Sequence, residues 1–343
     1  MPKKQNDSCD FKSEINRLKS SSPGRLYYLY GPEDYLSANY LDTLRSVCLP
    51  DGDDGFSLKR FEGPGLDPAG LRAALDALPF LSEMVFIELH NVDVNKLSDP
   101  DEFIRLLKEI PEYCTVAFIQ DSNYEPDGRL KLVKFLKSAG VCLHFDSQDT
   151  ASLVNWIKRR FSARGKKIDD STCERLMFVS GTLMNRLIPE IEKIAAAASG
   201  EIITSADIDS AANRIPEADV FEMLDALSSR NIDRASGILT DLLYDRKTEP
   251  IAVLSLIGVQ IRRLYGVKLA LESGLGFRGA SEVMNISWES LVKKNMVSAK
   301  GFTLDQLSEA IRRCTEADYR MKSTSSDDTG ILKELIFRLV RYD

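Results

Sequence analysis

The segment Tyr30-Gly31-Pro32-Glu33-Asp34-Tyr35-Leu36-Ser37 follows a short apolar run and is where this chain comes nearest to phosphate chemistry. A phosphate-binding loop at such a strand-to-helix junction needs Gly-x-x-x-x-Gly-Lys-Ser/Thr. Its glycines let backbone N–H groups wrap the phosphates, its lysine neutralises them, and its hydroxyl holds magnesium. Only Gly31 fits. Leu36 and Ser37 stand at the second glycine and the lysine, and Glu33 and Asp34 put negative charge where a triphosphate needs positive charge. The segment reads as a degenerate, non-binding loop. A plainer reading is a Gly-Pro turn whose two acids favour a helix N-terminus through its dipole. Neither reading allows nucleotide chemistry, and no cofactor is expected.

Other chemistry is equally thin. The strand-end segment Glu88-Leu89-His90-Asn91-Val92-Asp93 lacks the paired acids of a magnesium site, so Glu88 and Asp93 are expected to be surface carboxylates. Spacing fixes no carboxylate cluster around His90 or His144. Cys9, Cys48, Cys114, Cys142, Cys173 and Cys314 include no CxxC pair. Gly274-Leu275-Gly276-Phe277-Arg278-Gly279 fits GxGxxG but follows a helical pattern, so it reads as a flexible helix connection. Asn6-Asp7-Ser8 and Asn285-Ile286-Ser287 match glycosylation acceptors by chance.

The elements that must position these residues change near residue 148. Before it, apolar strand-like runs at 26–30, 57–62, 84–89, 115–120 and 141–145 alternate with helical patterns at 33–48, 67–78, 99–109 and 129–139. Near-continuous apolar strands separated by helices imply a parallel sheet covered on both faces. Asp67-Pro68 marks a helix start. After 148 the strands are expected to stop. Helical patterns follow at 150–163, 171–180, 183–198 and 205–212, then at 217–229, 231–245, 248–273, 287–297, 303–323 and 328–342. Ser171-x-x-Glu174 and Thr303-x-x-Gln306 read as capping boxes, and Pro250 suits a first turn. The layout is an α/β domain over 1–147, a small all-α domain over 148–212 and a larger all-α domain over 213–343. An α/β domain followed by a small helical bundle suggests the AAA+ type of P-loop NTPase.

The chain has 343 residues, 45 Lys+Arg against 52 Asp+Glu, a net charge of −7 and 43% hydrophobic residues. This is the composition of a globular protein. No run approaches the ~18 apolar residues of a membrane span, and the N-terminus does not read as a secretory signal. The acidic balance argues against a simple nucleic-acid coat.

Two surface features remain. Leu71, Leu75 and Leu78 form a helical stripe that runs into Pro79-Phe80-Leu81-Ser82. The residues alone favour a core position for Phe80 and Leu81, with a projecting plug for a partner's pocket as the other option. The stretch Thr150–Ile168 holds Lys158, Arg159, Arg160, Arg164, Lys166 and Lys167 with no acid, interleaved with Trp156, Ile157 and Phe161. It reads as a solvated helix face, or else as a contact to DNA or to another subunit. Arg262 and Arg263, with Lys268, form a second basic group. Being adjacent, these arginines cannot share one narrow stripe.

Taken together, LYYLYGPEDYL at 26–36, LPFLSE at 78–83, Asp127-Gly128-Arg129, IPEIEKIA at 188–195, ITSADI at 203–208, VFEMLDAL at 220–227, VQIRRLYGVKLAL at 259–271 and EADYRMK at 316–322 resemble the delta subunits of the bacterial DNA polymerase III clamp loader. The resemblance spans nearly the whole chain. It implies an AAA+-like domain without ATP-binding residues, a helical lid and a C-terminal collar. It also implies a role in binding the ring-shaped beta sliding clamp and favouring its open form. Leu78, Pro79, Phe80 and Leu81 would make the clamp contact, with Glu83-Met84 in place of a basic residue common among relatives. The implied partners are the clamp, ATP-binding gamma/tau-type subunits, delta prime and, through the complex, primer–template DNA. The implied setting is cytoplasmic, with no membrane. The chain would belong to a nucleotidyltransferase holoenzyme without catalysing anything itself. Two other readings stay open, an ATP-dependent AAA+ enzyme and a nucleic-acid-binding regulator.

Overall fold

Every residue of Leu26–Tyr30 is buried, which requires cover on both faces of the strand. This strand, β1, lies inside a five-stranded, all-parallel sheet of order β2-β3-β4-β1-β5, with β2 at Leu58–Glu62, β3 at Val85–His90, β4 at Cys114–Ile119 and β5 at Val141–His144. The computed structural model describes residues 11–53, 55–63, 66–97, 99–286, 288–323 and 327–340. Asn6-Asp7-Ser8, Cys9, Ser287 and the tail of the helical pattern at 328–342 lie outside them.

The described residues divide into two compact units. The first runs to Gln148 and includes Leu183–Asn185. Its helices are α1 (Phe11–Ser20), α2 (Asp34–Cys48), α3 (Pro68–Leu75), α4 (Pro100–Lys108) and α5 (Lys131–Ala139). The period-2 alternation of β1 sorts its side chains. Leu26, Tyr28 and Tyr30 join a core with Leu71 and Leu75 of α3, Phe103 and Leu106 of α4 and Leu132 and Leu136 of α5. Tyr27 points the other way, 6.2 Å from the ring of Tyr40 on α2. The result is an α/β fold built on a parallel sheet with helices on both faces. Asp67 caps α3 as its sequence indicates, its carboxylate accepting from the Gly70 N–H at 2.6 Å. Helix α1 has no counterpart among the expected elements.

The second unit comprises residues 149–182 and 186–343. It holds α6 (Thr150–Ser162), β6 (Lys167–Ile168), α7 (Asp170–Ser180), α8 (Met184–Ala197, whose first two residues count with the first unit), β7 (Ile202–Ile203) and α9 (Ser205–Ala211). There follow α10 (Pro216–Ser228), α11 (Ile232–Thr240), a π-helical turn Asp241–Asp245, α12 (Pro250–Glu272), α13 (Gly276–Met284), α14 (Glu289–Lys300), α15 (Leu304–Ser323) and α16 (Asp328–Val340). Strand does not end at residue 148, since β6 and β7 pair in parallel. Two residues each are too few for a period-2 signal.

Two expectations need correction here. Helix α7 is capped by Asp169, which accepts from the Thr172 N–H at 2.7 Å, and not by Ser171 with Glu174. The box at Thr303 and Gln306 does form, with reciprocal bonds of 2.9 and 3.1 Å. The GxGxxG segment is not a flexible connection, because Gly276 opens α13. A Cβ on Gly279 would collide with that of Leu275 at the start of α13 and stand 3.3 Å from that of Ala270 on α12, so the tight opening turn and the packing on α12 together account for that glycine. Helix α12 is long and apolar enough by length and composition to cross a membrane. Its Val253, Leu254, Ile257, Ile261, Leu264 and Val267 instead fill the core of the second unit.

Candidate functional site

The β1–α2 junction sits at the C-terminal ends of the parallel strands, where α/β folds bind ligands. Gly31 has φ +122°, and a Cβ there would lie 2.6 Å from the Phe145 carbonyl and 2.8 Å from the His144 ring. The approach of the chain leaving β5 therefore explains this glycine without any phosphate. The Glu33 N–H donates to the Phe145 carbonyl at 3.1 Å. The Glu33 carboxylate is fully buried and accepts from the Met184 N–H at 3.2 Å. Burial pushes its pKa up to about 7, against the pull of the Met184 hydrogen bond, and Asp34 adds to the rise. Asp34 in turn accepts from the Asn185 amide at 3.2 Å. Leu36 and Ser37 are buried on the inner face of α2. The junction presents two acids and no cation, with the N–H group of Met184 already bonded to carboxylate.

Glu88 corrects the sequence reading. It is fully buried, not a surface carboxylate. Arg45 of α2 donates to it from Nε at 2.9 Å, Arg60 of β2 at 3.0 Å, and the His90 ring lies 2.9 Å away. Burial raises its pKa, but the hydrogen bonds from His90 and Arg45 and the two guanidinium charges outweigh this and hold it below the usual carboxylate range. Its partners are remote in sequence, so spacing could not reveal them. The cluster ties α2 and β2 to β3. Among the described residues, no group of His, Cys, Asp and Glu could hold a metal ion.

The apolar loop lies at the other end of the sheet, at the N-terminal end of β3. Helix α3 stops at Leu75, three residues earlier than its leucine stripe suggests. Pro79 disfavours helical geometry at residue 78, so Leu78 leaves the stripe. Leu71 and Leu75 are buried, whereas Leu78, Phe80 and Leu81 are 76%, 77% and 68% exposed, with Pro79 half-buried between them. The core position favoured by the residues alone is therefore wrong. Phe56, before β2, is also exposed, and its ring meets that of Phe80 edge-on at 6.0 Å. A cluster of four large exposed apolar side chains is unlike the scattered single ones of an ordinary surface.

The basic stretch is largely occupied within its own unit. Lys158 pairs with Asp170, and Arg164 with Glu192 at 2.7 Å. Lys166 donates to the carbonyls of Ala198 and Gly200 at 2.7 and 2.8 Å, closing the end of α8. Arg160 lies over the Trp156 ring at 5.0 Å. Arg159 and Lys167 are exposed. On α12, Arg262 is exposed while Arg263 is half-buried, its Nη1 donating to the Gln260 side-chain Oε1 at 3.1 Å, and burial lowers its pKa. The structure thus does not bring all eight basic residues to one face as free charges. Sequence inspection also missed a chain of ion pairs running from Asp209 through Arg175, Glu222 and Arg214 to Asp219 and Arg246. It joins α7 and α9 to α10.

Comparison with known proteins adds a separate line. Residues 217–339 match the family described as DNA polymerase III delta subunit, C-terminal domain. The chain is 24% identical over 335 residues to DNA polymerase III subunit delta of Bacillus subtilis (strain 168), covering 94% of this chain and 95% of that one. It is 23% identical over 243 residues to the probable DNA polymerase III subunit delta of Aquifex aeolicus (strain VF5), covering 70% and 69%. The solved structure of the Bacillus subtilis DNA clamp loader delta protein (YqeN) superposes with a TM-score of 0.54 at 22% identity, covering 96% of this chain and 99% of that one.

Proposed function

We propose that this chain, which is similar to DNA polymerase III delta subunits over 94% of its length, binds and opens the beta sliding clamp, so that the ring can be placed on primed DNA during replication. The observation that carries this reading is the exposed loop of Leu78, Pro79, Phe80 and Leu81. Phe80 and Leu81 enter an apolar pocket on the clamp. The anchored residues beside them, Ser82 and Met84, lead directly into a buried strand, so the loop projects from a rigid base. No covalent step is involved. A ring that is bound more tightly open than closed shifts towards the open state by that difference in affinity.

The remaining parts take supporting roles in this proposal. Residues 1–147 form the clamp-binding domain, 148–212 a lid and 213–343 a collar that associates with delta prime and the ATP-binding gamma/tau-type subunits. Primer–template DNA is reached through the assembled complex, in the cytoplasm. The two acids of the β1–α2 junction support a subunit that leaves ATP to its partners. Phe80→Ala combined with Leu81→Ala is expected to abolish capture of the purified clamp while the circular dichroism spectrum and melting curve stay those of the parent. Capture at the parent's level would overturn the assignment. These side chains are exposed, so their loss costs the fold little.

A further inference from the structure

Phe80 is not presented by its own segment alone. The nine residues from Asp76 to Met84 contain neither helix nor strand. A loop of that kind loses conformational freedom when it seats in a partner, unless something orders it beforehand. Two contacts from a distant part of the chain do so. The Ser82 hydroxyl lies 2.5 Å from that of Ser57, which is buried, and 2.7 Å from the Met84 carbonyl. The Phe56 ring meets the Phe80 ring at 6.0 Å and 61°, the edge-to-face geometry favoured by aromatic pairs. The backbone fixes both contacts, because the Phe86 N–H donates to the Ser57 carbonyl at 2.8 Å and β2 pairs with β3 from Leu58 and Phe86 onward.

We infer that the clamp-binding element is composite. Phe56 and Ser57, at the start of β2, hold the Phe80 loop in its binding conformation, and Phe56 adds a second aromatic ring to the contact. This rests on the clamp-binding reading of Phe80 and Leu81 given above. Phe56 is 60% exposed at the end of the polar, glycine-bearing segment Asp51–Gly55. A ring placed there, beside Phe80, extends the apolar surface offered to a partner. Ser57 and Ser82 are positioning residues, since neither is itself at the apolar tip.

The test is the Kd of the full chain for the purified clamp ring. Phe56→Ala is expected to weaken binding by about tenfold, as loss of an interfacial aromatic contact does. Phe56→Tyr keeps the ring edge and is expected to bind as the parent. Ser82→Ala is expected to weaken binding severalfold, with Ser82→Thr restoring it. In the double variant Ser57→Cys, Ser82→Cys, the oxidised form locks the loop and the reduced form does not. The oxidised form is expected to bind at least about tenfold more tightly than the reduced form. That comparison uses one folded protein and answers any objection from misfolding. If Phe80→Ala abolishes binding while Phe56→Ala, Ser82→Ala and the reduced double variant all bind within about twofold of the parent, the composite element is overturned and the clamp reading stands. If Phe80→Ala itself binds as the parent does, the clamp reading fails first.

Discussion

Glu33 and Glu88 are both fully buried acids in the first unit, yet their surroundings push them in opposite directions. Glu33 meets the backbone N–H groups of Met184 and Tyr35 and a neighbouring acid, and its pKa rises to about 7 through burial. Between the ordinary carboxylate pKa of 4.5 and about 7, the folded state holds a proton that the unfolded state has lost. Its contribution is therefore full below the unfolded pKa and is lost as pH rises through the folded one. Glu33→Gln is expected to raise the unfolding free energy at pH 8 by about 2 kcal/mol relative to the parent and to leave it little changed at pH 4. Urea titrations of both proteins at the two pH values measure this, and an equal difference at both would refute it. Glu88 instead answers two guanidinium groups and a histidine. Glu88→Ala is expected to cost about 2 kcal/mol, less than for a fully enclosed pair because Arg60 and Arg45 retain access to solvent. Its urea midpoint reports the loss.

At the scale of elements, the junction after β1 is governed by chain crossing. Gly31 adopts a left-handed backbone with the Phe145 carbonyl where a Cβ would stand. Gly31→Ala is expected to destabilise the first unit by about 2 kcal/mol or more, through both strain and displacement of β5. A melting temperature equal to the parent's would contradict this account. The sequence offered Gly31 as the survivor of a phosphate loop, whereas the pairing of β1 with β5 is sufficient reason for it. Helix α3 teaches a related point. The leucine stripe gives the right face for Leu71 and Leu75, but Pro79 decides where that face ends.

For the whole molecule, the net charge of −7 and the internal use of Lys158, Arg164 and Lys166 limit direct DNA binding. The isolated chain is expected to bind duplex DNA no more tightly than the nonspecific range of ~10⁻⁴–10⁻⁶ M at physiological salt. Fluorescence anisotropy across a salt series measures it. Nanomolar binding with a steep salt slope would favour the nucleic-acid regulator over the clamp reading. Arg159, Lys167 and Arg262 are the exposed members of the basic set.

The sequence by itself determined the parallel sheet, the helical remainder, the caps at Asp67 and Thr303 and the absence of a lysine from the β1–α2 junction. Each is carried by neighbours within a few residues, through apolar periodicity, capping offsets or a missing residue type. Only the tertiary structure decided that Glu88 is buried between Arg45 and Arg60, that Lys158, Arg164 and Lys166 are met by Asp170, Glu192 and the end of α8, and that Phe80 is exposed beside Phe56. Those outcomes depend on partners 12 to 43 residues away or on which side of a loop faces solvent. Local pattern carries no information about either, because burial and ion pairing are properties of the assembled chain.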